Sequence, residues 1–206
     1  MNPSSGKHNC VRILIILCNP KTSSLSHALA QSIQQTLEQD HHTVDLIDLY
    51  QDEFDPTLRL EEYQRKFSFD DGIRRYTRLL TDSSVLVFIH PDWWGGMPAL
   101  LHGFIDRVFR PGVAYEYEGP DFGRKTPRPL LNGKQGITFV TSDSDKPTDR
   151  IHPLELVWPD HIFGYCGIKS HGCHILYSVH DSRYRARVDW INQSAICCRQ
   201  IAGDAQ

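Results

Sequence analysis

Apolar residues fall along this chain in short unbroken runs, separated by segments in which they recur every three or four positions. Val11-Arg12-Ile13-Leu14-Ile15-Ile16-Leu17-Cys18 and Val85-Leu86-Val87-Phe88-Ile89 are nearly continuous, the pattern of parallel strands covered on both faces. Asn19-Pro20 ends the first run, and His90-Pro91 is expected to end the second. Leu25, Leu29, Ile33 and Leu37 recur every four residues, predicting a helix capped by Ser23 or Ser24. Thr43 to Leu49 reads as a strand. Asp70 or Asp71 can cap a helix carrying Ile73, Tyr76, Leu79 and Leu80. Pro98 opens another, with Leu100, Leu101, Phe104, Ile105, Val108 and Phe109 at helical spacing. Gln135 to Thr141 and Ser170 to Val179 are further strands. Pro153 to Cys166 reads as a helix that Pro159 kinks or restarts, and Tyr184, Val188, Ile191, Ala195 and Cys198 mark a closing helix.

Two segments break the rhythm. Tyr50 to Phe69 is mixed and acidic, with a turn at Asp55-Pro56 and a short helical piece around Glu61-Glu62-Tyr63. Pro120 to Leu131 reads as a surface excursion. Residues 1–10 are expected to be a disordered leader and residues 11–206 a single domain.

Five strands alternating with helices imply an α/β fold, a doubly wound parallel sheet with helices on both faces. Right-handed crossovers favour the flavodoxin-like order 2-1-3-4-5. In that order the loops after strands one, three and four, Asn19 to Ser26, His90 to Gly96 and Thr141 to Lys146, meet at one edge, where ligands bind in open α/β sheets. The first loop places Lys21, Thr22, Ser23, Ser24 and Ser26 around a helix start, whose free amides and partial positive charge suit a phosphate. No G-x-x-x-x-G-K-[ST] or G-x-G-x-x-G occurs there. In the second loop, Trp93 and Trp94 stand beside Gly95-Gly96. As core residues they would cap the sheet edge; on a glycine loop they read instead as a platform for a flat ligand.

A net charge of -3 gives no reason to expect nucleic acid or an anionic membrane surface as partner. The cysteines form no C-x-x-C pair and no zinc-site spacing, so they read as reduced thiols of a cytoplasmic protein, with Cys18 and Cys166 as small buried hydrophobes and no metal. No apolar run reaches the length of a membrane span.

Three blocks carry a family resemblance: Leu17-Cys18-Asn19-Pro20-Lys21-Thr22-Ser23-Ser24-Leu25-Ser26; His90-Pro91-Asp92-Trp93-Trp94-Gly95-Gly96-Met97-Pro98-Ala99 with Gly103-Phe104-Ile105-Asp106-Arg107-Val108-Phe109; and Ala114-Tyr115-Glu116-Tyr117. With them the chain resembles the NAD(P)H:quinone oxidoreductase, or diaphorase-like, branch of the flavodoxin-fold flavoproteins. The resemblance continues in order to Gly133-Lys134, Trp158-Pro159 and Cys166-Gly167. It implies a flavin, FMN with FAD as the alternative, reduced by NAD(P)H and reoxidised by a quinone or similar small acceptor in ping-pong fashion. It puts the flavin phosphate on Ser24, Leu25 and Ser26 beside Asn19, and the isoalloxazine against Pro91, Asp92, Trp93, Trp94 and Gly95. Tyr115 and Tyr117 match substrate-side aromatics at the boundary of a homodimer; read alone, they also fit a hairpin pair packing outside the sheet.

The family's Thr-Thr-Gly-Gly after the fourth strand is here Thr141-Ser142-Asp143-Ser144, which brings Thr141, Ser142 and Asp143 to the flavin without the glycines that tolerate positive φ and close approach. The family's charge-assisting Tyr and His have no clean match. His152 is the candidate, and its ordinary reading is a structural or exposed histidine. Since the chemistry belongs to the cofactor, no acid/base dyad is required. The competing function is a flavin-binding regulatory subunit of a partner protein.

Overall fold

The computed structural model describes residues 10–64, 66–117 and 127–205; the expected leader lies almost wholly outside them, and the excursion at 120–131 partly so. Strands β1 (Arg12–Leu17), β2 (Thr43–Asp48), β3 (Val85–Pro91), β6 (Gln135–Thr141) and β7 (Lys169–Leu176) form one parallel sheet in the order β2-β1-β3-β6-β7. That is the doubly wound order expected from the apolar runs. Helices α1 (Leu25–Gln39) and α6 (Tyr184–Asp204) cover one face, and α3 (Asp71–Asp82) and α4 (Ala99–Val108) pack on the other. The alternation of strand side chains divides the core accordingly. Ile13, Ile15 and Leu17 join Leu29 and Ile33 beneath α1, while Leu14 and Ile16 join Leu80, Leu101 and Phe104. Each such side chain contributes about 1.5–3 kcal/mol by leaving water.

Two prolines behave otherwise than the sequence suggests. His90-Pro91 ends β3 two residues later than the apolar run suggests: the strand includes both residues and stops at Pro91. The carbonyl of Ile89 accepts from the Cys18 amide at 2.9 Å, and the amide of Asp92 reaches the Thr141 carbonyl at 2.8 Å. Alternation therefore turns the Pro91 nitrogen toward β1, past its last paired residue Leu17, where no ladder bond is lost. Pro159 does not restart its helix: α5 (Leu154–Leu156) continues as a π-helix over Val157–Gly164. Widening moves the carbonyl four residues back away from the proline ring, removing the clash that breaks an α-helix. The fifth strand stops at Leu176, short of Val179, because Ser178 takes a φ of 51°.

The acidic excursion is organised by one buried cation. Arg107, on α4, donates Nε to Glu62 Oε2 and Nη2 to Glu62 Oε1, both at 2.8 Å, Nη1 to the Asp55 carbonyl at 2.7 Å and Nη2 to Asp70 Oδ2 at 3.2 Å. Glu62 belongs to α2 (Leu60–Gln64). Burial alone would raise its carboxyl, but hydrogen bonds from Arg107 and Ser68 hold it below the usual range. Gly103 lets the excursion lie directly on α4, since a Cβ there would stand 2.3 Å from Pro56. Tyr115–Glu116 (β4) pairs antiparallel with Arg128–Pro129 (β5), a small ribbon outside the main sheet.

Candidate active site

The carboxyl ends of β1, β3, β6 and β7 surround a cavity of about 450 Å³. Asn19 shapes its first wall: Oδ1 accepts the Lys21 amide at 3.0 Å and Nδ2 donates to Ser26 Oγ at 3.1 Å. Ser26, fully buried, also meets Thr141 Oγ1 at 3.2 Å, tying the first loop to the end of β6 beneath the cavity. Ser24 caps α1, accepting the His27 amide. The amides of Leu25 and Ser26 fall in the first turn, where a helix offers no carbonyl partner.

The second wall is Pro91, Asp92 and Trp93. Beyond it, Trp93 and Gly96 exchange backbone hydrogen bonds of 2.9 and 3.0 Å across Trp94-Gly95. Both corner residues have positive φ, 61° and 75°, as a type I′ turn requires. This corner usually takes Asn-Gly or Asp-Gly, so a tryptophan there is strained by about 1–3 kcal/mol. Trp94 is fully exposed, which excludes the core reading.

Asp92 is held from behind. Its Oδ2 accepts Ser142 Oγ at 2.9 Å and lies 3.1 Å from His152 Nε2, while Oδ1 is buried and has no partner among the described residues. His152 is therefore neither exposed nor remote from the cavity.

The third wall departs from the sequence argument. Thr141, Ser142, Asp143 and Ser144 take no positive φ, the conformation that would call for glycine. Asp143 Oδ1 accepts the His180 amide at 2.8 Å, and Ser142 and Ser144 carbonyls accept the amides of Val179 and Ser178. These bonds recruit the loop after β7. Arg187 stiffens that loop by donating Nη2 to the Val179 carbonyl at 3.0 Å and Nε to Ser182 Oγ at 2.8 Å.

Of the residues singled out from the sequence, Asn19, Ser24, Leu25, Pro91, Asp92, Trp93, Thr141 and Asp143 line the cavity. Ser26 and Ser142 support it from below, and Trp94 and Gly95 form the adjoining turn. Tyr115 and Tyr117 do not line it. They form an edge-to-face cluster with Tyr165, with the Tyr117 and Tyr165 hydroxyls 3.0 Å apart. Burial first, then Tyr117, pushes the Tyr165 phenol well up. Val179, His180 and Arg187 also line the cavity and were missed. Extending the strand-end argument to the fifth strand would have found Val179 and His180, whereas Arg187 reaches the cavity from α6. Cys18 and Cys166 are buried thiols pushed up to about 12 by desolvation, inert as expected. Among the described residues no acidic, histidine or cysteine cluster could hold a metal, and no helix is long and apolar enough to cross a membrane.

A family model described as a flavodoxin-like fold matches residues 11–193. A Haemophilus influenzae protein named as an uncharacterized NAD(P)H oxidoreductase is 30% identical over 190 residues, covering 88% of this chain and 91% of the relative. NAD(P)H dehydrogenase [quinone] 1 of Cavia porcellus is 27% identical, with 65% of this chain matching 54% of that protein. An FMN-dependent NADH-azoreductase from Bacillus anthracis, solved in complex with FMN, superposes with a TM-score of 0.71 over 93% of this chain and 99% of its own, at 14% identity, which speaks to fold alone.

Proposed function

The chain belongs to the flavodoxin-like fold family, and from that premise we propose that it is a flavin-dependent NAD(P)H oxidoreductase that passes hydride from a nicotinamide to a quinone or similar small acceptor in ping-pong turnover. One observation carries the reading: strand-end loops converge with the α1 N-terminus on a single cavity whose walls change from anion-binding to flat and aromatic. The relatives named as NAD(P)H oxidoreductases and a quinone dehydrogenase support it.

The residues present fit FMN. Lys21, the hydroxyl of Ser23 and the first-turn amide of Leu25 suit a phosphate, with Ser24 beside them at the cap of α1. Pro91, Asp92 and Trp93 offer a flat wall, and Thr141, Asp143 and Ser144 offer polar contacts to ring edges. No stretch stands out as an adenosine site, which favours FMN over FAD. When bound, FMN supplies two-electron acceptance and release. This chain's residues position and shield: Trp94 presents an indole at the mouth on which a nicotinamide or quinone can stack in turn, and the buried side chain of Asp92 is little screened by solvent. Tyr115, Tyr117 and Tyr165 form a half-exposed aromatic ridge suited to a homodimer boundary and, across it, to the acceptor.

Reconstitution tests the reading. Purified protein titrated with FMN should quench flavin fluorescence at one flavin per chain, and the loaded protein should consume NAD(P)H when a quinone is added, with light scattering reporting a dimer. Unquenched fluorescence at micromolar protein removes the proposal.

A further inference from the structure

A chain of hydrogen bonds begins in the cavity at Ser24 and ends on β2 at Asp48. Ser24 Oγ lies 3.0 Å from His27 Nδ1, and His27 Nε2 lies 3.0 Å from Asp48 Oδ2. The other oxygen of Asp48 accepts the amides of Tyr50 at 3.1 Å and Gln51 at 3.3 Å. A carboxylate has no proton to give, so Nε2 carries one and donates it. In the neutral imidazole Nδ1 is then a bare acceptor, and the proton between it and Ser24 comes from the hydroxyl. Ser24 Oγ meanwhile accepts the His27 amide at 3.3 Å as the cap of α1. With His27 neutral, Ser24 therefore meets the cavity with lone pairs alone, the wrong polarity for an anion. One added proton reverses the bond: Nδ1–H donates to Ser24 Oγ, and the hydroxyl proton is released toward the cavity.

Resting on the reading of this cavity as a flavin phosphate site, we propose that His27 is a proton-linked positioning residue, so that a phosphate is captured together with one proton at Nδ1 that turns Ser24 from acceptor to donor. The charge gained is balanced on one side by Asp48 and on the other by the anion. Several ionisable groups on the neighbouring elements are engaged elsewhere, and α6 also carries Arg185, Asp189 and Asp204. Asp45 of β2 pairs with Arg12 of β1, and Arg199 of α6 pairs with Asp40. Arg187 of α6 is bound to the carbonyls of its own loop. β3 presents apolar side chains toward α1, and β6 reaches it through Thr141 on Ser26. Lys21, before α1, His180, across the cavity, and the carboxylates Asp92 and Asp143 are the other cationic or titratable groups that line the cavity.

Nitrogen-15 NMR of the imidazoles in the full chain tests this, with His27 identified by the signals lost in His27→Gln. The free protein should show the Nε2–H tautomer, and saturating FMN should raise the His27 midpoint by about one pH unit, a tenfold coupling. Riboflavin, lacking the phosphate, should leave the midpoint in place. His27→Gln should weaken FMN about tenfold near pH 6 while leaving riboflavin affinity unchanged. A midpoint unmoved by saturating FMN overturns the coupling. Should FMN fail to bind at any pH, the flavin reading falls separately, and inorganic phosphate decides the coupling: a midpoint it leaves unmoved overturns it as well.

Discussion

His152 points its Nε2 at Asp92 Oδ2, 3.1 Å away, while its Nδ1 accepts the amide of Leu154 at 3.3 Å. A ring nitrogen that accepts an N–H carries no proton, so the imidazole is neutral and donates to the carboxylate. Asp92, with Oδ1 unpartnered, thus stands in the cavity wall as a charge that hydrogen bonds soften but no cation cancels.

If the flavin ring lies against Pro91 to Trp93, that charge disfavours the reduced anion. Asp92→Asn should raise the flavin midpoint potential by about 30 mV, equivalent to roughly 1.4 kcal/mol for a two-electron couple. Redox titration of loaded wild type and variant checks the shift, and an unchanged or lowered potential would separate Asp92 from the ring.

Trp94 stands on a strained corner without packing to offset the strain. Trp94→Gly should leave the apo protein as stable or more stable, by up to about 1 kcal/mol. The same change should lower flavin affinity or quinone turnover. Thermal melts of the apo form paired with flavin titration decide it; a large loss of stability with normal binding would mean that the exposed indole supports the fold.

Arg107 and Glu62 are a buried bidentate pair, so removing one partner leaves an uncompensated charge. Arg107→Met should cost about 3–5 kcal/mol, and pairing it with Glu62→Leu should recover much of that. Urea denaturation of the two single variants and the double measures the coupling; additive losses would contradict the pairing.

Acid should weaken the fold through His90. Its Nε2 accepts the Trp158 indole N–H at 3.0 Å in full burial, and desolvation lowers the imidazole from 6.5 to about 4. The unfolded chain takes up this proton first, so stability is complete above about pH 6.5 and declines toward pH 4, by up to about 3 kcal/mol. Glu62, held low, adds its own loss only as pH falls through the carboxylate range. Denaturation at intervals across the window should show this slope, and His90→Gln, less stable overall, should flatten it.

The sheet order was legible because continuous apolar runs such as Ile13 to Leu17 have few alternatives to a parallel strand buried on both faces. Ser24 and Asp70 marked their helix starts through short polar side chains that cap. The 50–70 excursion was illegible because its organiser, Arg107, lies far along the chain on α4 and contacts it only in space. His152 was undervalued for the same reason: its bond to Asp92 crosses from one strand-end loop to another. The two residues that β3 gains beyond Ile89 and the helix that continues through Pro159 escape a rule about lost amides that does not apply where the amide has no partner or the helix widens.

Anaerobic reduction of the FMN-loaded protein tests the proposed function most directly. Adding one equivalent of NADH or NADPH should bleach the visible flavin band, and a quinone added afterwards should restore it, with neither step needing the other substrate present. A bound flavin whose band persists in excess of both nicotinamides would contradict the assignment of this cavity to hydride transfer.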